Sequence, residues 1–333
     1  MSEQVRDGFR QQGQWARVMG AHRTAALCDA LAARLSDASE TGRRVLNWPR
    51  DVLADAVALR LIGGLNALRQ AGAGDVEQAF SGEPGNVDAV VRVHDEALQP
   101  WLDSAPQTNE PQRSAALVTG LLHVAATFGT PLELIEIGSS AGLNLMIPHY
   151  RYNLGGVKVG PNDAALTMTP EWRGSPPPDV PLTIARARGC DLRPIDLADP
   201  AAEARVAAYI WIDNPERVER LAKAAALVRE HGVRIDRADA ADWVEARLAE
   251  PVADGMTRVL MHSVTWQYLP TETQARIGAA MAAAGARGPL GWVRMEPDRD
   301  LAAHRISVTT WPGGETRWIG SAHAHARWVE HSG

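Results

Sequence analysis

The feature that most constrains the fold is an alternation of strand and helix patterns that begins at Pro131. Helical patterns separate most of the apolar strand-like segments, which is typical of a mostly parallel sheet. The predicted strands are LELIEIG, LTIARARGCD, VRIDRAD, TRVLMHS and PLGWVRMEP. A final pair, RISVTTW and TRWIGSAHAH, is joined by PGGE and predicts an antiparallel C-terminal hairpin. The sequence therefore predicts an α/β fold.

Residues 1–128 carry a helical period and almost no strand signal. About five helices are expected there, and we predict an N-terminal helical domain over 1–128 that covers the substrate pocket. A second domain follows at 129–330. Within it, residues 149–181 contain turn glycines and three consecutive prolines, so we predict an inserted hairpin or loop there.

Composition excludes several classes of protein. The net charge of −6 argues against nucleic acid as a partner, because phosphate binding needs a concentrated basic surface. No apolar run approaches the roughly 18 residues of a membrane helix, and the polar N-terminus does not resemble a signal peptide. Cys28 and Cys190 belong to no CxxC motif, so neither a disulfide framework nor a metal site is predicted. A cytoplasmic location is the expectation.

The segment 132–145, LELIEIGSSAGLNL, permits two interpretations. Gly138-Ser139-Ser140-Ala141-Gly142 matches G-x-S-x-G, the turn that carries the nucleophile of serine hydrolases. That interpretation needs earlier strands, an upstream oxyanion loop and a later acid and histidine. Here a helical segment precedes the motif and no such loop is visible, although Asp239 with His262 or His325 follows in the chain.

The second interpretation is a strand, a glycine turn and a helix that together hold a cofactor. Gly138 would permit the turn, Gly142 would permit close helix packing, and the first helical N–H groups would face an anionic part of the ligand. Ser140 replaces the usual middle glycine. Acidic and polar residues end the following strands, at the edge where open parallel sheets bind ligands. These residues are Asp191, Asp239, His262 and Ser263.

The ordered motifs EIGSSAG, GCDLRP, RADAAD and LMHSVTWQYL resemble those of class I S-adenosylmethionine (SAM) dependent methyltransferases. The resemblance covers residues 131 to about 297, and the terminal hairpin extends it to about 328. It implies a Rossmann-like sheet and SAM or S-adenosylhomocysteine (SAH) as cofactor. The whole chain, including QTNEPQRSAAL, GLNL and HSVTWQYL, also resembles a bacterial family known only as a domain of unknown function, number 2332. That second resemblance implies no activity.

Carried over to this sequence, the methyltransferase resemblance implies a role for each motif. The first turn would hold the amino-acid end of SAM, Asp191 would bind the ribose diol, and Asp239 with Ala240 would bind adenine. The residues implied in the first turn are Glu136, Gly138, Ser139, Ser140 and Gly142. Structural alternatives stay open: Glu136 binding backbone amides, Asp191 capping a turn, and Asp239 capping the helix near Ala241.

Methyl transfer to an O–H or N–H group needs alignment and sometimes a base. His262 ends the fourth strand and is the predicted base, with a bond to a neighbouring loop as its structural alternative. The polar loop PQTNEP and a strand-end acid are predicted to contact a small polar acceptor: Gln107, Thr108, Asn109, Glu110 and Glu296. Alternatively, Thr108 or Asn109 caps the next helix. Two alternatives to a methyltransferase stay open: a non-catalytic protein that binds SAM or another nucleotide, and the serine hydrolase.

Overall fold

The structure is a computed structural model that describes residues 2–81, 86–298 and 303–333. It divides into two compact units. The first contains residues 1–108 and 199–219, and the second contains residues 109–198 and 220–333. The predicted α/β class, with a large mostly parallel sheet and an N-terminal helical region, is confirmed.

The helices follow the amphipathic patterns of the sequence. Helix bounds are α1 Ser2–Val18, α2 His22–Arg34, α3 Glu40–Leu46, α4 Val57–Gln70, α5 Gly74–Ala79, α6 Val87–Val93, α7 Asp95–Leu102, α8 Ser114–Phe128, α9 Pro200–Ala208, α10 Pro215–His231, α11 Ala240–Ala249 and α12 Thr271–Gly285. Helices α1–α7 and α9 lie in the first unit. Its core is built from Phe9, Leu27, Leu61 and Leu98 and their neighbours, all fully buried.

The expectation of about five helices over 1–128 was too low, because residues 2–81 and 86–128 contain eight helices. Two of the helices, α3 and α5, have only seven and six residues, and α6 and α7 are separated only by His94. Such segments span less than two turns, which is too short to display a helical period.

The second unit contains all the strands that the structure describes, in one large sheet and a small separate sheet. Strand bounds are β1 Leu132–Ile137, β2 Arg151–Leu154, β3 Val157–Val159, β4 Thr167–Met168, β5 Glu171–Gly174, β6 Ile184–Asp191, β7 Ile235–Arg237, β8 Thr257–Ser263, β9 Leu290–Asp298, β10 Ala303–Trp311, β11 Glu315–Ala322 and β12 Trp328–His331. The large sheet has nine strands in the order β5-β12-β11-β10-β9-β8-β1-β6-β7, and the small sheet has the order β3-β2-β4.

Strands β7, β6, β1, β8 and β9 are mutually parallel, so their carboxyl ends meet at one edge. Counted along the chain, these five strands lie in the spatial order 3-2-1-4-5. Helix α8 packs on one face, where Val293 fits against Gly120. Helices α11 and α12 pack on the other face, against Ile137, Leu260 and Trp292. Packing on both faces explains why β1 and β8 are almost entirely buried, whereas β6 and β7, toward the edge of the sheet, carry charged residues and are less buried.

Strands β9 to β12 of the large sheet pair in antiparallel fashion, whereas β12 and β5 at its edge are parallel. The predicted hairpin is present as β10 and β11, which follow β9 by direct antiparallel pairing. The expectation that the last strand reaches His325 was wrong, since β11 ends at Ala322 and a separate strand β12 follows. Strand β12 pairs with β5 from the predicted insertion at 149–181. Short strands of four residues carry too little alternation to be recognised.

The helix expected directly after Gly142 is absent. Residues Leu143–His149 form a 3₁₀ helix instead, and the chain then enters β2. Pro148 explains part of this difference, because a proline inside an α-helix removes an N–H donor and clashes with the preceding turn.

Candidate functional site

The turn after β1 is held in a conformation that needs its glycines. Gly138, Ser140 and Gly142 have φ angles of 65°, 53° and 74°. A Cβ atom at Gly138 would lie 2.4 Å from the side chain of Thr265, and one at Gly142 would lie 2.6 Å from Val233. Both glycines are therefore required by backbone conformation and by space. Ser140 adopts the same left-handed region, which costs energy for any residue with a Cβ.

Protein acceptors already bind several N–H groups of this turn. Ser139 N–H donates to Cys190 O (3.0 Å) and Ser140 N–H donates to Asp191 Oδ2 (2.9 Å). Gly142 N–H donates to Ser139 O (2.7 Å), and Leu143 N–H donates to Asn109 Oδ1 (3.0 Å). The expected cradle of helical N–H groups for an anion is therefore not formed by these amides.

Asp191 bridges two loops at the end of β6. Its Oδ2 accepts the Ser140 N–H, and its Oδ1 accepts the Arg193 N–H at 2.8 Å. The structural alternative for Asp191, a turn cap, is thus present. A carboxylate oxygen has two lone-pair positions, so each oxygen retains capacity for one further donor.

Glu136 lies at the end of β1 and is 1% exposed. Its Oε1 accepts a hydrogen bond from Asn144 Nδ2 at 2.8 Å, and the same Nδ2 lies 3.3 Å from Ser263 Oγ. Burial is the main cause that raises the pKa of Glu136 to about 7; hydrogen bonds from Asn144 and Ser139 oppose the rise, and the charge of Asp191 adds to it. Glu136 therefore exchanges its proton near neutral pH.

Asp239 caps the helix that follows it, which is the structural alternative stated above. Its Oδ1 accepts the N–H groups of Ala241 (2.8 Å) and Asp242 (3.2 Å), so it is the N-cap of α11. Ala240 is the first residue of that helix. The assignment of both residues to adenine binding stays a prediction.

His262 and Glu296 form a hydrogen-bonded pair across the ends of β8 and β9. His262 is fully buried, and its Nδ1 lies 2.6 Å from Glu296 Oε1, which also accepts the Thr265 N–H at 3.0 Å. The His262 ring stacks on Trp266 with a 5.2 Å centroid separation and a 14° interplanar angle. Glu296 was predicted to contact the acceptor, whereas its Oε1 orients the predicted base.

The loop at 106–111 belongs to two different units. Asn109 and Glu110 are buried in the second unit, while half-buried Gln107 and exposed Thr108 lie in the first. Glu110, rather than Thr108 or Asn109, caps the following 3₁₀ helix. Its Oε1 also accepts from Arg220 Nη1 at 2.8 Å. Asn109 and Glu110 thus have structural partners, and their role toward an acceptor stays a prediction.

Five side chains near the carboxyl edge carry a buried polar atom that has no hydrogen-bond partner within the described part of the chain. The atoms are Glu136 Oε2, Ser140 Oγ, Asn144 Oδ1, His262 Nε2 and Glu296 Oε2. Buried polar atoms are bonded in the great majority of cases, so each exception requires an explanation. Three of these five atoms are amide or carboxylate oxygens, so the edge offers acceptors to a ligand that carries donors.

Sequence reasoning missed Asn144, Thr265 and Trp266 as components of this edge. Asn144 stands in GLNL, two residues after the last turn glycine, and an amide within an otherwise apolar segment was a usable signal in the sequence. In the structure its side chain is buried. Thr265 and Trp266 became recognisable only through their contacts with Glu296 and His262.

The expected catalytic contacts of a serine hydrolase are not made among the residues that the structure describes. Ser140 Oγ has no hydrogen-bond partner there, and His262 Nδ1 is bonded to Glu296. A nucleophile and its base are expected within about 2.6–3.2 Å of one another, although the distance is often longer without substrate.

Comparison with known proteins identifies one family. The family described as "Uncharacterized protein conserved in bacteria (DUF2332)" matches residues 6–331, and the chain therefore belongs to it. No curated protein and no solved structure matches the chain. Across the described ranges 2–81, 86–298 and 303–333, no helix has both the length and the apolar character to cross a membrane.

Proposed function

We propose that this member of the DUF2332 family binds SAM at the carboxyl edge of its parallel strands and transfers the methyl group to a small polar acceptor. The observation that carries the proposal is the set of buried polar atoms at the ends of β1, β8 and β9, together with that of Asn144, that have no hydrogen-bond partner among the described residues. A ligand with several donor groups would satisfy the carboxylate and amide oxygens of that set.

The order of the parallel strands supports a Rossmann-like interpretation. The strand order reverses at β1, which has the second strand on one side and the fourth on the other. In open α/β sheets, ligands bind outside the carboxyl ends of the strands at this reversal. Glu136, Asp191 and His262 all lie there.

The charge of the edge favours SAM over a dinucleotide. Glu136, Asp191 and Glu296 bring carboxyl groups to adjacent strand ends. A phosphate would meet these acids and would find the Ser140 N–H already donated to Asp191. SAM carries an ammonium group, a sulfonium group and ribose hydroxyls and has no phosphate, so its donors and positive charge fit these residues.

We assign the residues to parts of SAM by their hydrogen-bonding capacity. Glu136 and Asn144 would hold the ammonium group through Oε2 and Oδ1, and Asp191 would accept from the ribose hydroxyls. Asp239 and Ala240 stay our assignment for adenine. When bound, SAM supplies the electrophilic methyl group and the leaving group.

His262 provides the base. Glu296 accepts the proton on Nδ1, so Nε2 is the basic nitrogen that can take a proton from an acceptor O–H or N–H. The adjacent carboxylate stabilises the imidazolium that results. Trp266, stacked on the ring, keeps its plane fixed. These groups activate the nucleophile without any contribution from Ser140.

A thermal-unfolding comparison with SAM, SAH and NAD tests the proposal. At about 100 times Kd, a ligand stabilises the folded state by about 2.7 kcal/mol, which raises Tm by several degrees. We expect this shift with SAM and SAH, no shift with NAD, and a smaller shift in Glu136→Gln. The exposed Glu171→Gln is the matched control. Absence of a shift with SAM and SAH contradicts the proposal, and a shift without conversion of SAM to SAH in an acceptor screen indicates a non-catalytic binder.

One observation favours a hydrolase as second candidate. Ser140 follows a central strand, has a φ of 53° and carries an unpartnered Oγ, as a nucleophile on a strained turn does. Fluorophosphonate labelling and ester hydrolysis test it. A hydrolase loses both in Ser140→Ala and Ser140→Gly, whereas a SAM-binding turn keeps its affinity for SAM in both variants.

A further inference from the structure

The second unit holds an arginine, Arg294, that makes no ion pair with an acidic residue in the described part of the chain. Arg294 lies on β9, between Trp292 and Glu296 on the same face of the strand. Opposite Trp292 on β10 is Thr309, which in turn pairs with Thr316 on β11. Three neighbouring strands therefore place these side chains together on one face of the antiparallel part of the sheet.

The contacts of Arg294 fix its guanidinium and are made to a hydroxyl group and an aromatic ring. Nη2 donates to Thr309 Oγ1 at 2.7 Å, and the guanidinium carbon lies 4.5 Å from the centroid of the Trp292 ring. Burial lowers the pKa of Arg294, against an opposing effect of Glu296. Glu296 makes its hydrogen bonds to His262 and Thr265 instead, and Arg294 makes no ion pair with any residue in 2–81, 86–298 or 303–333.

The groups around Arg294 are short of acceptors. Arg294 Nε and Trp292 Nε1 are both buried, and Trp292 as a whole is only 6% exposed. Neither N–H has an acceptor among the residues described. The hydroxyls of Thr309 and Thr316 lie 2.7 Å apart. Since Thr309 Oγ1 accepts from Arg294, it can donate to Thr316 Oγ1, whose own proton is then available. The cluster thus contains a cation and donors in excess.

We infer that Arg294, Trp292, Thr309 and Thr316 form a binding site for a small oxyanion, a carboxylate or a phosphate group. A guanidinium binds such groups through two parallel N–H donors, and an aromatic ring beneath it restricts its plane beforehand. The inference does not rest on methyl transfer, because none of these four residues belongs to the proposed SAM site.

Nuclear magnetic resonance of the ¹⁵N-labelled full chain tests the site directly. Arginine Nε–H and indole Nε1–H signals are followed during titration with inorganic phosphate and, separately, with acetate, at ionic strength held constant with sodium chloride. Spectra of Arg294→Lys and Trp292→Phe assign the two signals. We expect saturable shifts of both signals in the unaltered protein and binding at least tenfold weaker in Arg294→Gln.

Arg305→Gln is the matched control, because Arg305 lies on the same sheet face but is paired with Asp298 at 2.5 Å. It should bind the anion as the unaltered protein does. Thr316→Val, at an exposed position, provides a second variant if Arg294→Gln does not fold, and it should weaken binding. Saturation by phosphate alone identifies a phosphate site, saturation by acetate alone a carboxylate site, and saturation by both a site for either oxyanion. Shifts that never saturate, or that persist unchanged in Arg294→Gln or Thr316→Val, overturn the inference.

Discussion

Glu296 Oε1 lies 2.6 Å from His262 Nδ1 and 3.0 Å from the backbone nitrogen of Thr265, so one carboxylate oxygen orients both the ring and the loop that follows it. The carboxylate requires a proton on Nδ1, and the unprotonated nitrogen of neutral His262 is then Nε2. Two residues 34 positions apart in sequence thereby act as one unit, because β8 and β9 are adjacent and parallel.

We expect Glu296→Gln to lower methyl transfer by roughly 10²–10⁴-fold if His262 is the base, since the amide neither fixes the Nδ1–H tautomer nor stabilises the imidazolium. Histidine ¹⁵N shifts in the free protein should also reveal a changed tautomer of His262. Glu272→Gln, at an exposed position on α12, serves as control. An unchanged tautomer in Glu296→Gln would disprove the positioning role whatever the activity.

The buried carboxyl of Glu136 predicts a pH dependence of stability. Its pKa of about 7 exceeds that of an unfolded glutamate, so the folded state binds more protons between about pH 4.5 and 7. The free energy of unfolding must therefore fall as pH rises through this range, by at most about 3 kcal/mol. Glu136→Gln should remove most of that fall in urea unfolding at pH 5 and pH 8. If Glu136→Gln shows the same pH dependence of stability as the unaltered protein and the control Glu171→Gln, the dependence does not arise from Glu136.

Substitution of Asp191 is expected to lower the stability of the fold as well as the affinity for SAM. Asp191→Ala removes two charge-assisted hydrogen bonds to backbone amides, which we expect to cost about 2–4 kcal/mol of unfolding free energy. Asp191→Asn keeps one acceptor oxygen and should lose about half as much. Chemical denaturation measures both, with the exposed Asp254→Ala as control. Equal stability of all three variants would show that the two bonds contribute nothing.

The buried pair His123 and His331 predicts a second, opposite pH dependence. Their Nε2 atoms lie 2.9 Å apart, and His331 Nδ1 is 3.0 Å from Ser175 O, so His331 donates there and accepts from His123. Burial lowers the pKa of His123 to about 4. The unfolded chain then binds more protons below about pH 6.5, and stability must fall as pH decreases from 6.5 toward 4.

A loss of roughly 1–3 kcal/mol of unfolding free energy is expected over that range. His123→Phe should flatten this limb of the stability curve, whereas His22→Gln at an exposed position should not. Thermal unfolding between pH 4 and 7 measures the effect. An equally steep loss in His123→Phe would assign it to other groups.

Local patterns were sufficient for the long elements of the fold. Strand β8 begins and ends at the predicted residues, Thr257 and Ser263, and an apolar segment, Val259–Met261, forms its centre. Helix α12, Thr271–Gly285, likewise begins at a local signal, because Pro270 directly precedes its first residue. Each of these elements carries its signal within its own residues, so neighbouring elements are not needed to recognise it.

The candidate site was harder to predict from the sequence, because its contacts depend on packing between distant segments. Parallel topology predicts that Glu136, Asp191, His262 and Glu296 reach one edge, and the structure brings their strands together there. The partners of Glu296 and Asn109 do not follow from spacing: they depend on side-chain rotamers and on a 3₁₀ helix that replaced the expected α-helix. Strands β5 and β12 could not be predicted from spacing either, because they are recognisable only as a pair.

That pair has a consequence for the order of events during synthesis. Trp328 of β12 pairs with Glu171 of β5, so a strand made near the middle of the chain finds its hydrogen-bond partner 157 residues later. Closing so long a loop is entropically costly and favours late formation. On the ribosome, β5 must wait as an unpaired edge until residues 328–331 emerge, and a chaperone that shields extended segments would act on this interval.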